Sequence, residues 1–292
     1  MREYSSVSRS VFQLFNYLFL SLAALLCMLP FLHILAQSFS TSISVAANEV
    51  MFWPVDFTTA AYEKVFGEGS LLRSMGVTLQ RVALGVSVNM LFTLLMAYPL
   101  SKENHFFRGR TVYAWTLVFT LLFGGGLIPF YLIVSGLGMM DTIWALVLPT
   151  AVPVYNVVLM LNFFRSIPKE LDESAYIDGA SQLIILFRIY VPLSMPSMAT
   201  LTLFATVGHW NSWFDGLIFM NDPANYPLSS YLQTMIIPLD VKNLNNLDDL
   251  SLISERTVKN AQIMIGALPI LLVYPFVQRY FVKGIILGAV KE

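Results

Sequence analysis

The chain has 292 residues, 57% of them hydrophobic and 12% charged, and its mean hydropathy is +0.68. A soluble domain carries roughly 45–50% apolar and about 25% charged residues, so this composition points to an integral membrane protein. A formal net charge of −1 leaves no basic excess for nucleic acid, and the single cysteine, Cys27, excludes an intrachain disulfide and any multi-cysteine metal site.

Six apolar stretches are long enough to cross about 30 Å of hydrocarbon, which takes about 20 helical residues. The first, 12–36, follows Arg2 and Arg9 as a signal peptide would, but it is too long and lacks a small-residue cleavage site, so a retained first helix is expected. The others are 77–100, which contains Arg81, then 112–134, 143–164, 198–220 and 261–281. Kinks are expected at Pro30, at Gly124, Gly125 and Gly126, and at Pro149 and Pro153. The predicted fold is an all-α membrane protein of six transmembrane helices, a single domain over residues 1–292.

Lysine and arginine set the expected orientation. With the amino terminus in the cytoplasm, eleven basic residues fall inside and five outside, so both termini are expected inside. The outer loops are then 37–76, 135–142 and 221–260, and the inner loops 101–111 and 165–197. The extracytoplasmic loop 221–260 is long and acidic, with Asp222, Asp240, Asp248, Asp249 and Glu255 among three prolines, and long loops tend to be functional.

Chemistry is excluded more often than indicated. No lysine is followed by Ser or Thr, so the chain has no phosphate-binding P-loop. Neither H-E-x-x-H nor G-x-S-x-G occurs, and His33, His105 and His209 lie on separate segments, which disfavours a hydrolase or metal site. The spans also lack the buried carboxylate series of a proton-driven carrier. Whatever passes through is expected to be powered from outside the chain.

The informative segment is the inner connection 165–197. Ser166 is expected to cap a helix, Pro168 to sit in its first turn, and Glu170, Asp172 and Glu173 to face the positive end of its dipole, with Gly179 ending it. A second short helix, 181–190, runs into Pro192 and Pro196. Such a helix–turn–helix suits docking: Ser174, Ala175, Gly179 and Ala180 let a partner's backbone approach, and Glu173 and Asp178 accept hydrogen bonds from its arginines. A solvated loop with an acidic helix is the plainer alternative.

Glu173-Ser174-Ala175, Asp178-Gly179-Ala180, Phe187, Ile189, Pro192-Leu193 and Pro196 closely resemble the coupling loop of bacterial ABC importer permeases, with Ser174 in place of an alanine. The resemblance implies a type I importer permease fold and assigns Glu173, Ala175, Asp178, Gly179, Ala180 and Pro192 to coupling with a separate ATPase. The segment 156–171, Trp210-Asn211-Ser212-Trp213 and the ending 281–291 are similar to carbohydrate permeases of the maltose-type group. Residues 31–36 and 208–215 resemble its branch for alginate and pectin-derived oligosaccharides. That implies a bacterial inner-membrane complex with a second homologous permease, two ATP-binding subunits that hold ATP and Mg, and an extracytoplasmic solute-binding protein. No cofactor is expected in this chain.

The residues fit a sugar path. Aromatic faces stack on sugar C–H surfaces while amides and carboxylates take hydroxyls, a set that His209, Trp210, Asn211, Trp213 and Asp215 supply. Helical spacing puts Trp210, Trp213 and Phe214 near one face, which an interfacial aromatic belt would equally explain. Arg81 either snorkels outward, faces the path and suits an anionic uronate oligosaccharide, or pairs with Asp215. An ATP-independent carrier or channel, or an ABC permease for a non-sugar solute, is the alternative function.

Overall fold

The computed structural model describes residues 7–103, 106–236, 256–269 and 271. These are mainly helical, and among them the only pairing of extended residues is an isolated bridge between Ser40 and Phe57. The chain divides into two compact units, one taking the residues up to Leu71 with the described helical residues 256–267, the other taking Leu72 to Ile236 with the described residues from Leu268.

In the first unit, α1 (Val7–Ser38) has 32 residues, about 48 Å at 1.5 Å per residue, and exceeds a hydrocarbon core. It is mostly apolar, and from Val11 to Leu32 its large side chains, Phe12, Phe15, Leu18 and Leu22 among them, are exposed. Contact with lipid tails carries no penalty for such side chains, so they need no partner within the chain. The helix continues through Pro30. At its far end Ala36, Val45 and Val50 form a small core, and Gln37 accepts a hydrogen bond from Asn260 Nδ2 at 2.7 Å. Asn260 belongs to the helix 256–269, where the expected sixth span begins; the rest of that span lies largely outside the described residues. A shorter helix, α2 (Ala60–Glu68), ends at Gly69, whose φ of +67° is a glycine conformation.

The second unit is organised along α3 (Ser70–Ser101), the only described helix there that is long and apolar enough to cross a bilayer unbroken. Its buried positions Ser74, Thr78, Arg81, Gly85, Asn89, Thr93 and Ala97 recur every three or four residues, a single stripe. Toward its C-terminal end the stripe turns apolar and joins the main core with Val157, Met160, Phe164, Leu186 and Tyr190. Arg110 Nη1 and Arg165 Nη2 donate to the carbonyls of Lys102 and Leu100 at 3.1 and 3.5 Å, satisfying groups that the helix end leaves open.

The other crossings are bent pairs, giving up to five spans among the described residues. The expected span 112–134 is α4 (Arg110–Leu122) and α5 (Leu127–Gly136), turned by 113°. This is a sharp fold rather than a kink, because Phe123 is extended and Gly126 takes φ +85°, freeing the backbone at the three glycines. In 143–164, α6 (Ile143–Val147) with a 3-10 turn at Leu148–Thr150 leads to α7 (Val154–Arg165) through a bend of 46° at the two prolines. The connection that follows holds α8 (Glu170–Ile177) and α9 (Gln182–Ile185), a π-helical turn at Leu186–Tyr190, and a further turn at Val191–Leu193. The chain then bends by 85° into α10 (Met195–Asn211). The expected continuous span 198–220 is broken: α10 stops at Asn211 and α11 (Phe214–Phe219) restarts after Ser212 and Trp213. Finally α12 (Leu228–Ile236) packs back on that break.

Candidate functional site

Two regions of the second unit bring chemistry-bearing residues together. The first is the break between α10 and α11. A broken helix at membrane depth must find new partners for its freed backbone groups. Ser229 and Ser230, at the start of α12, donate their hydroxyls to the carbonyls of Trp210 and Trp213, and Thr78 on α3 accepts the N–H of Leu228 at 2.7 Å. Arg81 donates from Nη1 to the Ser212 carbonyl at 3.1 Å and holds Asp215 with both terminal nitrogens. Ser212 Oγ donates to the same carboxylate at 2.8 Å. Arg81 is 1% exposed. Of the three readings, the geometry is that of the Asp215 pair.

Below the break, His209 lies against Gly85, where a Cβ would sit 2.4 Å from its Nε2. Its Nε2 is 2.9 Å from Asn89 Oδ1, while Asn89 Nδ2 donates to the Thr150 and Ala151 carbonyls at the α6–α7 bend. Since the amide nitrogen is committed to carbonyls, the imidazole Nε2 is the donor to Oδ1. Asn89 thus ties two broken helices to α3. Trp210 is buried, whereas Asn211, Trp213 and Phe214 are exposed, the last two rings meeting edge to face at 5.5 Å. The expectation of one face for Trp210, Trp213 and Phe214 is corrected, because the helix ends between the first and the other two.

At the far end of this unit Asp141, with φ +60°, accepts the backbone N–H groups of Asn221 and Asp222 at 2.6 and 3.1 Å. The Asp222 and Asn221 amides hold its carboxyl below the usual carboxylate range.

The second region is the 165–197 connection. Glu173, Ser174 and Asp178 are exposed on α8, with Ile177 87% exposed. Gly179, at φ +74°, closes the helix as expected: its N–H reaches the Tyr176 carbonyl and the Ala180 N–H the Ala175 carbonyl, a Schellman pair. Ser181 Oγ then accepts the Ile184 N–H and caps α9, and Leu183, Ile184 and Phe187 are exposed beside Pro192.

Two expectations change here. Ser166 does not cap α8; it ends α7, its hydroxyl donating to the Phe163 carbonyl, since α8 starts only at Glu170 after Pro168. Ala175 and Ala180 turn inward to the core, so of the small residues only Ser174 and Gly179 lie open to a partner.

Lys102, Asp172, Tyr98 and Tyr190 form a buried cluster that sequence reasoning missed. The Lys102 ammonium donates to Asp172 Oδ2 at 2.5 Å and to the Tyr190 hydroxyl at 2.8 Å. Burial pushes it below the usual lysine range, and Asp172 pushes it back up. The sequence signal was slight, a lysine two residues past a span and an aspartate beside the coupling glutamate. The polar stripe of α3 was more legible, since Thr78, Arg81, Gly85, Asn89 and Thr93 already keep helical spacing in the sequence.

Residues 2–287 match the family described as binding-protein-dependent transport system inner membrane component. Protein LplC of Bacillus subtilis (strain 168) is 43% identical over 96% of this chain and 95% of its own. The polygalacturonan/rhamnogalacturonan transport system permease protein YtcP of the same organism is 39% identical over 96% and 98%. Among solved structures, a chain of a bacterial ABC transporter involved in the import of the acidic polysaccharide alginate is 32% identical, covers 95% of this chain and 99% of its own, and superposes with a TM-score of 0.85.

Proposed function

The chain belongs to the family of binding-protein-dependent transport system inner membrane components, and from that membership we propose that it is one permease subunit of an ATP-driven importer that carries acidic, uronate-containing oligosaccharides into the cytoplasm. It is a transport permease rather than an enzyme. Support for the sugar class comes from the relatives that move polygalacturonan, rhamnogalacturonan and alginate. The energy would come from two separate ATP-binding subunits holding ATP and Mg, with a second, related permease completing the path and an extracytoplasmic solute-binding protein delivering the cargo.

The observation that carries the reading is the 165–197 connection. Its helices and turns expose Glu173, Ile177, Asp178, Leu183 and Phe187, while Ala175, Ile185, Leu186 and Tyr190 are locked into the core. An element so built accepts a push from a docked subunit and passes it on. Both termini would be cytoplasmic, placing this element on the ATPase side and the helix breaks toward the middle and outer depth. There alternating access would open and close a path past Asn211, Trp213 and Phe214, exposed groups able to meet hydroxyls and C–H faces. His209 and Trp210 would shape that path from behind.

Reconstitution in proteoliposomes with the second permease, the ATPase subunits and the solute-binding protein tests this. Accumulation of a labelled alginate or polygalacturonate oligosaccharide is expected only with ATP inside the ATPase compartment and binding protein on the opposite side. Uptake without ATP would favour the carrier alternative, and ATP-driven uptake of neutral but not acidic oligosaccharides would remove the uronate assignment.

A further inference from the structure

We propose that Lys102 is a positioning residue that couples ATPase closure to the helix break, by pinning the 165–197 connection to α3 so that the two move together. This rests on the importer reading above. Lys102 follows the last residue of α3, and its ammonium lies beside two rings that meet edge to face, 4.4 Å from the centroid of Tyr98 and 4.1 Å from that of Tyr190. It donates to Asp172 of α8 and to the Tyr190 hydroxyl of the π-helical turn, and that hydroxyl also donates to Asp172 Oδ2 at 2.8 Å. Tyr98 extends the junction by donating to Gln182 Oε1 on α9, whose amide nitrogen donates to Tyr176.

The first helix of the connection and the π-helical turn therefore meet α3 at one ammonium, and the second helix meets it through the adjoining Tyr98 hydroxyl. The π-helical turn contributes to this, because its wider ring, closed by the Val191 N–H on the Leu186 carbonyl, sits immediately before Pro192 and brings Tyr190 inward. The Lys102 and Asp172 side chains are 9% and 14% exposed, so sliding the connection along α3 would separate two charges away from water. Moving α3 with it avoids that separation.

The choice of α3 as the lever follows from continuity. The other described helices of this unit are interrupted after Leu122, Thr150, Leu193 and Asn211, whereas α3 runs without a break from Ser70 to Ser101. Arg81 lies 21 residues before Lys102, about 31 Å along the helix at 1.5 Å per residue, and holds Asp215 at the α10–α11 break. A displacement of α8 thus reaches the break through one rod with a charged clamp at each end.

The test uses the complete complex in proteoliposomes and compares ATP hydrolysis with and without binding protein loaded with an alginate oligosaccharide. The double variant Lys102→Met with Asp172→Leu removes both charges yet keeps apolar volume. It is expected to lower the ratio of stimulated to basal hydrolysis by about tenfold while the ATPase subunits copurify in wild-type amount. Lys102→Arg keeps a cation beside the two rings and is expected to retain most of the stimulation. If the double variant fails to accumulate, Tyr190→Phe decides, with a fall of about threefold expected from loss of the shared hydroxyl. Undiminished stimulation in the double variant or, failing it, in Tyr190→Phe overturns the inference, as does a loss of stimulation no larger than the loss of copurified ATPase. A wild-type complex with no stimulation at all overturns the importer reading and this inference together.

Discussion

Arg81 is costly to place in a membrane helix unless its charge is answered, and here the answer is Asp215 with the Ser212 carbonyl as a second acceptor. Losing one member of a buried pair strands the other, at about 3–5 kcal/mol, whereas neutralising both avoids that penalty. Arg81→Gln and Asp215→Asn are each expected to lower the amount of monodisperse protein surviving a heat step, measured by fluorescence-detected size exclusion. The double replacement is expected to recover most of it. If Arg81 instead served the cargo, Arg81→Gln would leave abundance normal and selectively depress uptake of acidic oligosaccharide relative to a neutral one of equal length. Gly85 and His209 show the same residue-scale logic in steric form, since the imidazole occupies the space a side chain at 85 would need.

At the scale of elements, α8 is a short helix whose two faces have different duties. Asp172 and Ala175 face inward to Lys102 and the core, while Glu173, Ser174, Ile177 and Asp178 face out. Glu173 is thus free to accept a charge-assisted hydrogen bond from a docked ATPase subunit, a contact of about 1.5–3 kcal/mol. Glu173→Lys replaces the acceptor by a repelling cation without touching the buried face. The permease is expected to insert and fold normally, with copurification of the ATPase subunits and ATP-driven uptake both strongly reduced. Normal copurification and uptake in this variant would remove Glu173 from the docking surface.

For the molecule as a whole, the asymmetry of its basic residues predicts both termini in the cytoplasm. Asp222 and Arg108 are exposed residues of opposite expected sides. In a Cys27→Ala background, Asp222→Cys is expected to react with an impermeant thiol reagent applied to the outside of spheroplasts. Arg108→Cys is expected to react only after permeabilisation, and the reverse pattern would invert the orientation. The exposed apolar flank of α1 belongs to this scale too, since a helix left without apolar cover by the other described residues suits contact with lipid tails.

Much of this was written locally. Composition and six long apolar runs specify a helical membrane protein, and Gly124 to Gly126, Pro149 and Pro153 mark two places where its crossings bend, because those residues free backbone that hydrocarbon would otherwise keep closed, whereas Pro30 leaves α1 unbroken. The 165–197 connection was legible down to the Gly179 turn, since a left-handed C-terminus and an acidic first turn are short-range effects. Three features needed the tertiary structure: that Asp215, rather than cargo or solvent, answers Arg81, why α10 stops at Asn211, and which lysine receives Asp172. Each depends on groups from 70 to 134 residues apart in sequence or on hydroxyls from α12, and local spacing carries no information about which distant partner a buried polar group will meet.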